Sequence, residues 1–151
     1  MIGSIEPQQV EILLIEDNPF EAELAIRNLK KNHLANNLIH IDDGAEALDF
    51  IFSRGRYEGN VAPSPKLILL DLKLPKVSGH EILRQIRAHE RLKSIPVVVL
   101  TSSNEESDIV ESYKLGVNSY IVKPVNFEAF SKSIADLGLY WIVLNKRPAA
   151  S

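Results

Sequence analysis

The chain has 151 residues, 45% hydrophobic and 25% charged, the composition of one globular domain with a substantial core. Its net charge of −3 offers no broad basic field, which argues against a nucleic-acid partner. The absence of cysteine excludes disulfides, thiol nucleophiles and zinc-thiolate sites, while the opening MIGSIEPQQV lacks a secretory signal and no apolar run or cationic amphipathic helix suits a membrane, so a cytoplasmic protein is expected.

After a tail over 1–9, the apolar stretch 10–15 is a strand ending in Glu16-Asp17. Asn18-Pro19 then offers a helix cap followed by proline at the first helical position, which predicts a helix over 19–31. A weaker strand at 38–41 leads to Asp43 and Glu46, whose capping-box spacing opens a helix over 44–53. The stretch 54–65, with two glycines and two prolines, reads as a surface loop. Strand 67–70 ends in Asp71 and is followed by a helix over 79–88; strand 96–100 ends in Thr101. Ser103 and Glu106 again have capping-box spacing, before a helix over 104–115. A last strand, 119–122, ends in Lys123-Pro124 and leads into a helix over 127–144. The strongest strands barely alternate, which suits strands buried on both faces of a parallel sheet. Five repeats of strand then helix predict an α/β fold with right-handed crossovers and one domain over 10–147, leaving 148–151 as a short tail.

In such sheets ligands bind beyond the carboxyl ends of the strands. Glu16, Asp17, Asp71, Thr101 and Lys123 would therefore share one edge. Three carboxylates there repel one another, and one lysine offsets only one of the three charges. A divalent cation would neutralise the remainder, and carboxylate oxygens are the hard ligands that Mg²⁺ or Mn²⁺ prefers. The Asp71 carboxylate can act as a nucleophile toward a phosphoryl donor, with Lys123 and the Thr101 hydroxyl on the transferring oxygens. Ser102 is small enough to leave the donor room. The bland alternative is a structural cation or a buried acid-lysine network. The histidines at 33, 40, 80 and 89 lack metal-ligand spacing and read as surface residues.

The motifs LLIEDNP at 13–19, LILLDLKLPKVSG at 67–79, VVVLTSS at 97–103 and SYIVKP at 119–124 resemble the receiver domains of two-component response regulators. The resemblance implies a flavodoxin-like (βα)5 fold with strand order 2-1-3-4-5. It implies an aspartyl phosphate on Asp71 supplied by a sensor histidine kinase, no enzyme activity beyond that chemistry, and a metal held by Glu16, Asp17, Asp71 and the backbone carbonyl of Lys73. It further implies a cis peptide before Pro124 and a switch in which Thr101 moves inward and Tyr120 follows, reshaping the surface of helix four, strand five and helix five. The alternative for Tyr120 is an edge-strand aromatic with its hydroxyl in water, and Lys73 either shields the acyl phosphate or is an ordinary loop lysine.

In the last helix Phe127, Phe130, Ile134, Leu137, Trp141 and Leu144 recur at heptad spacing. At about 18 residues, or roughly 27 Å, this helix is longer than the strands it covers. Either a partner helix covers its end, or it lies on its own core. The tail LGLYWIVLNKRP and the loop GRYEGNVAPSPK resemble stand-alone regulators that serve phytochrome histidine kinases. That narrower likeness implies a phytochrome as donor and a homodimer through Phe127, Phe130, Ile134, Tyr140, Trp141 and Leu144. The competing expectation is an interaction module whose receiver site is inactive.

Overall fold

A computed structural model describes residues 12–31, 37–59, 65–126, 128–130 and 132. Within them the elements are β1 (Ile12–Ile15), α1 (Pro19–Lys31), β2 (Leu38–Ile41), α2 (Gly44–Ile51), β3 (Leu67–Leu70), α3 (Gly79–Ala88), β4 (Val97–Thr101), α4 (Glu106–Lys114) and β5 (Ser119–Val122). The strands form one parallel sheet in the order β2-β1-β3-β4-β5, the flavodoxin-like arrangement.

The period-two geometry of a strand sends alternate side chains to opposite faces, and here both faces are apolar. Leu13, Ile15, Ile68, Leu70, Val97 and Val99 meet Leu48 and Ile51 of α2 and Ile82, Leu83 and Ile86 of α3 on one side. On the other, Ile12, Leu14, Leu67, Leu69, Val98 and Leu100 meet Ala22 and Leu29 of α1 and Phe130. The near-continuous hydrophobic runs are thus explained by two cores, one per face.

Local chemistry sets the helix starts. Asn18 Oδ1 accepts the Glu21 N–H at 3.0 Å, Asp43 Oδ1 accepts the Glu46 N–H at 2.6 Å, and Ser78 Oγ accepts the Glu81 N–H at 3.2 Å. Each satisfies a donor that the first turn leaves free. The capping box expected at Ser103 and Glu106 does not form. Ser103 is buried and its hydroxyl donates to Asp108 Oδ2 at 2.6 Å, so α4 begins two residues later than expected, with Glu105 as its uncapped N-cap. Helix α2 ends at Ile51, before the expected 53, as Ser53 takes a left-handed φ of 54°. The described part of the expected loop over 54–65, residues 54–59 and 65, holds a 3-10 turn, Gly55–Tyr57, tied back by the Tyr57 hydroxyl on Glu46 Oε2 at 2.7 Å.

The three described histidines are half-buried and not surface residues. His40 Nε2 lies 2.8 Å from the Glu16 carbonyl and His80 Nε2 lies 3.2 Å from Ser112 Oγ, partners from other elements that admit the rings to the interior. Of the expected last helix, 128–130 and 132 are helical; Phe127, Ile134, Tyr140, Trp141 and Leu144 lie outside the described residues. Phe130, assigned from sequence to a dimer seam, is 1% exposed and packed in its own domain's core.

Candidate functional site

The sheet register itself assembles the site. Ile15 pairs with Leu70 across the β1–β3 ladder, and the Asp71 N–H donates to the Ile15 carbonyl at 3.0 Å, so the residues that follow, Glu16 and Asp71, emerge side by side. These are the strands at which the order reverses, where α/β sheets bind ligands. Thr101 ends β4, and its carbonyl accepts the Lys123 N–H at 2.8 Å, which delivers the lysine to the same edge. The Lys123-Pro124 peptide is cis. Behind Asp71 the chain passes close to α3: a Cβ on Gly79 would stand 2.4 Å from the Asp71 carbonyl oxygen, so only glycine fits.

Lys123 Nζ is the hub. It donates to Glu16 Oε1 in a short contact, to Glu21 Oε2 at 2.9 Å and to Asp71 Oδ2 at 3.4 Å. Burial of the ammonium opposes its charge, but the hydrogen bonds to Glu16 and Glu21 and the charge of Asp71 prevail and hold Lys123 above its ordinary value. Burial pushes the Glu16 carboxyl up to about 7, opposed by the Lys123 hydrogen bond and reinforced by the Asp71 charge. The site carries more negative charge than one ammonium can balance.

That imbalance is the test of fit for a cation. Carboxylate oxygens of Glu16, Glu21 and Asp71 all lie within 4.8 Å of one another, a hard-oxygen cluster suited to Mg²⁺ or Mn²⁺. Two of its members were expected. Glu21, from the first turn of α1, was not: in sequence it looks like an acid placed to favour a helix start. Asp17, expected as a ligand, is exposed and outside the cluster. Lys73 reaches Asp71 through its N–H, which donates to Asp71 Oδ1 at 3.3 Å.

Thr101 is fully buried and Ser102 beside it is exposed. The Ser103 N–H donates to Thr101 Oγ1 at 3.4 Å, and the Tyr120 hydroxyl donates to the Ser103 carbonyl at 2.9 Å. One loop residue therefore joins the two members of the expected switch. A cavity of about 360 Å³ opens beside Glu16, Glu21, Ser102 and Lys123, floored by Leu14 and Leu100. A second acid cluster, Asp42, Asp43 and Glu46, is accounted for locally: Asp43 caps α2 and pairs with Lys76 at 3.5 Å, while Glu46 holds Tyr57.

Residues 12–135 match the family model described as response regulator receiver domain. The curated relatives include the probable methanogenesis regulatory protein FilR2 of Methanothrix harundinacea, 41% identical over 91% of this chain and 86% of that protein. Response regulator Rcp1 of Synechocystis is likewise 41% identical, over 92% of this chain and 93% of its own length. Among solved structures, the bacteriophytochrome response regulator RtBRR is 51% identical with a TM-score of 0.80, covering 95% of this chain and 87% of that one. The Mn²⁺-bound form of Rcp1 is 40% identical with a TM-score of 0.72, covering 91% of this chain and 98% of that one. The phosphorylated cyanobacterial phytochrome response regulator RcpA is 36% identical with a TM-score of 0.66, covering 91% of each. Strand order, the placement of Asp71 at the sheet's switch point and the family match agree: the chain belongs to the response regulator receiver domain family.

Proposed function

We propose that the chain is a phosphorylation-driven response regulator in which Asp71 is the acceptor. The observation that carries this is the convergence of Asp71, Glu16 and Lys123 at one point of the sheet edge, with Thr101 at the end of the neighbouring strand. An Asp71 carboxylate oxygen attacks the phosphorus of a phosphohistidine on a sensor kinase. The new P–O bond gives an acyl phosphate as the P–N bond breaks and the imidazole leaves with its electron pair. A divalent cation would be held by Glu16 and Asp71, with Glu21 or Asp17, and would supply charge neutralisation on the transferring oxygens. Lys123 meets the same oxygens, Thr101 donates its hydroxyl to them, and exposed Ser102 leaves the donor an approach.

When Thr101 turns toward the phosphoryl group, it gives up the Ser103 N–H; the Ser103 loop then shifts, carrying the Tyr120 hydroxyl with it. A local charge event thereby alters the surface of α4 and β5. That surface already presents Val110, Tyr113 and Val122 to solvent. The relatives named for phytochromes support a phytochrome histidine kinase as donor. Among the described residues no helix is long and apolar enough to cross a membrane. Dimerisation through Phe127, Ile134, Tyr140, Trp141 and Leu144 is part of the proposal; sedimentation of the parent as a monomer unchanged by Trp141→Ala removes it.

The test of the acceptor is incubation with Mg²⁺ and acetyl phosphate. The parent gains one phosphoryl group by intact mass, and the gain disappears with a chelator and in Asp71→Asn. No gain in the parent, or an undiminished gain in Asp71→Asn, refutes the proposal.

A further inference from the structure

Three carboxylates compete for the single ammonium at the site, and they are not equally placed. Lys123 Nζ lies nearer Glu21 Oε2, at 2.9 Å, than Asp71 Oδ2, at 3.4 Å. Glu21 is fixed at the base, since its N–H is held by Asn18 Oδ1 at 3.0 Å, but its side chain is 39% exposed. The side chains of Glu16 and Asp71 are 4% and 9% exposed. Glu21 can therefore release the ammonium and turn to water at small cost, whereas the two buried acids cannot.

We infer that Glu21 is a positioning residue for Lys123, drawing its ammonium off Asp71 in the resting site and competing for it with the oxygens of an incoming phosphoryl group. The inference rests on the acceptor role proposed for Asp71. It has two consequences of opposite sign. With Glu21 neutralised, the cation site loses one negative charge, so a divalent cation binds less tightly. The same change removes a charge that repels phosphoryl oxygens and frees the ammonium to meet them, so a phosphoryl group is held more tightly. Loss of a merely structural contact would weaken both.

The experiment uses the full chain and Glu21→Gln. Binding of Mn²⁺ alone is measured by calorimetry, then binding of beryllium fluoride, a phosphoryl mimic, at saturating Mn²⁺. The expected result is a Mn²⁺ dissociation constant raised about tenfold and a beryllium fluoride dissociation constant lowered severalfold. Glu21→Asp keeps the charge on a shorter arm and should bind Mn²⁺ better than Glu21→Gln. Unchanged Mn²⁺ affinity in Glu21→Gln, beryllium fluoride bound no more tightly than by the parent, or Glu21→Asp no better than Glu21→Gln overturns the inference while leaving Asp71 as acceptor. A parent protein that binds neither probe overturns both.

Discussion

Replacing Lys123 with methionine tests whether the ammonium organises the acids. Methionine keeps most of the side-chain volume and deletes the charge, leaving Glu16 and Asp71 buried without their cation. Three contacts are lost. The one to Glu21, on a side chain 39% exposed, is screened by solvent and contributes about 1 kcal/mol at most. Those to Glu16 and Asp71 are buried, and removing one partner of a buried pair costs about 3–5 kcal/mol because the remaining charge is uncompensated. A loss of about 4 kcal/mol corresponds to a fall in Tm of roughly 8–16 °C for a domain of this size. The assay is thermal unfolding by circular dichroism, first with a chelator and then with Mn²⁺. A cation at about 100 times its Kd stabilises by about 2.7 kcal/mol, so Mn²⁺ should recover a good part of the deficit. A loss below about 1 kcal/mol in chelator would show that the acids do not depend on Lys123. A variant that Mn²⁺ fails to stabilise would show that they do not form a cation site.

Arg87 forks between backbone carbonyls of Lys93, Ile95 and Gly116, at 3.0, 2.8 and 2.8 Å, joining the loop before β4 to the loop before β5. Burial lowers the pKa of this guanidinium, and its bonds go to neutral acceptors, so Arg87→Ala should cost about 2–4 kcal/mol in urea unfolding without changing Mn²⁺ affinity. Gly79→Ala puts a methyl 2.4 Å from the Asp71 carbonyl oxygen and 2.6 Å from Leu72 Cα; it should lose about 1–3 kcal/mol and slow phosphorylation by acetyl phosphate, because both clashing atoms are backbone beside the acceptor. Tyr120→Phe deletes the bond to the Ser103 carbonyl, costing about 1 kcal/mol, and hydrogen exchange should quicken in the β4–α4 loop while Mn²⁺ affinity stays at the parent value.

The strands were legible because a doubly covered sheet demands unbroken apolar runs, and 67–70 and 97–100 supply them. The shared edge followed, since strand ends fix where Glu16, Asp71, Thr101 and Lys123 emerge. What stayed hidden depended on contacts between distant segments. Glu21 looks like a helix-start acid until the fold brings it to a lysine 102 residues away. Ser103 has the spacing of a cap, yet burial turns its hydroxyl to Asp108 and leaves Glu105 to begin the helix. His40 and His80 are polar and read as exposed; the Glu16 carbonyl and Ser112 hydroxyl that admit them lie on other elements. Phe130 fits a heptad seam by spacing alone, but its side chain completes the domain's own core under β1, β3 and β4.

The central claim is tested most directly by locating the phosphoryl group. An acyl phosphate on aspartate is reduced by borohydride to homoserine, which marks its own position. After treatment with Mg²⁺ and acetyl phosphate, reduction and peptide sequencing by mass spectrometry should find homoserine at residue 71 and nowhere else. Homoserine at another acid, or a stable phosphoryl group on a hydroxyl with residue 71 still aspartate, would contradict the account.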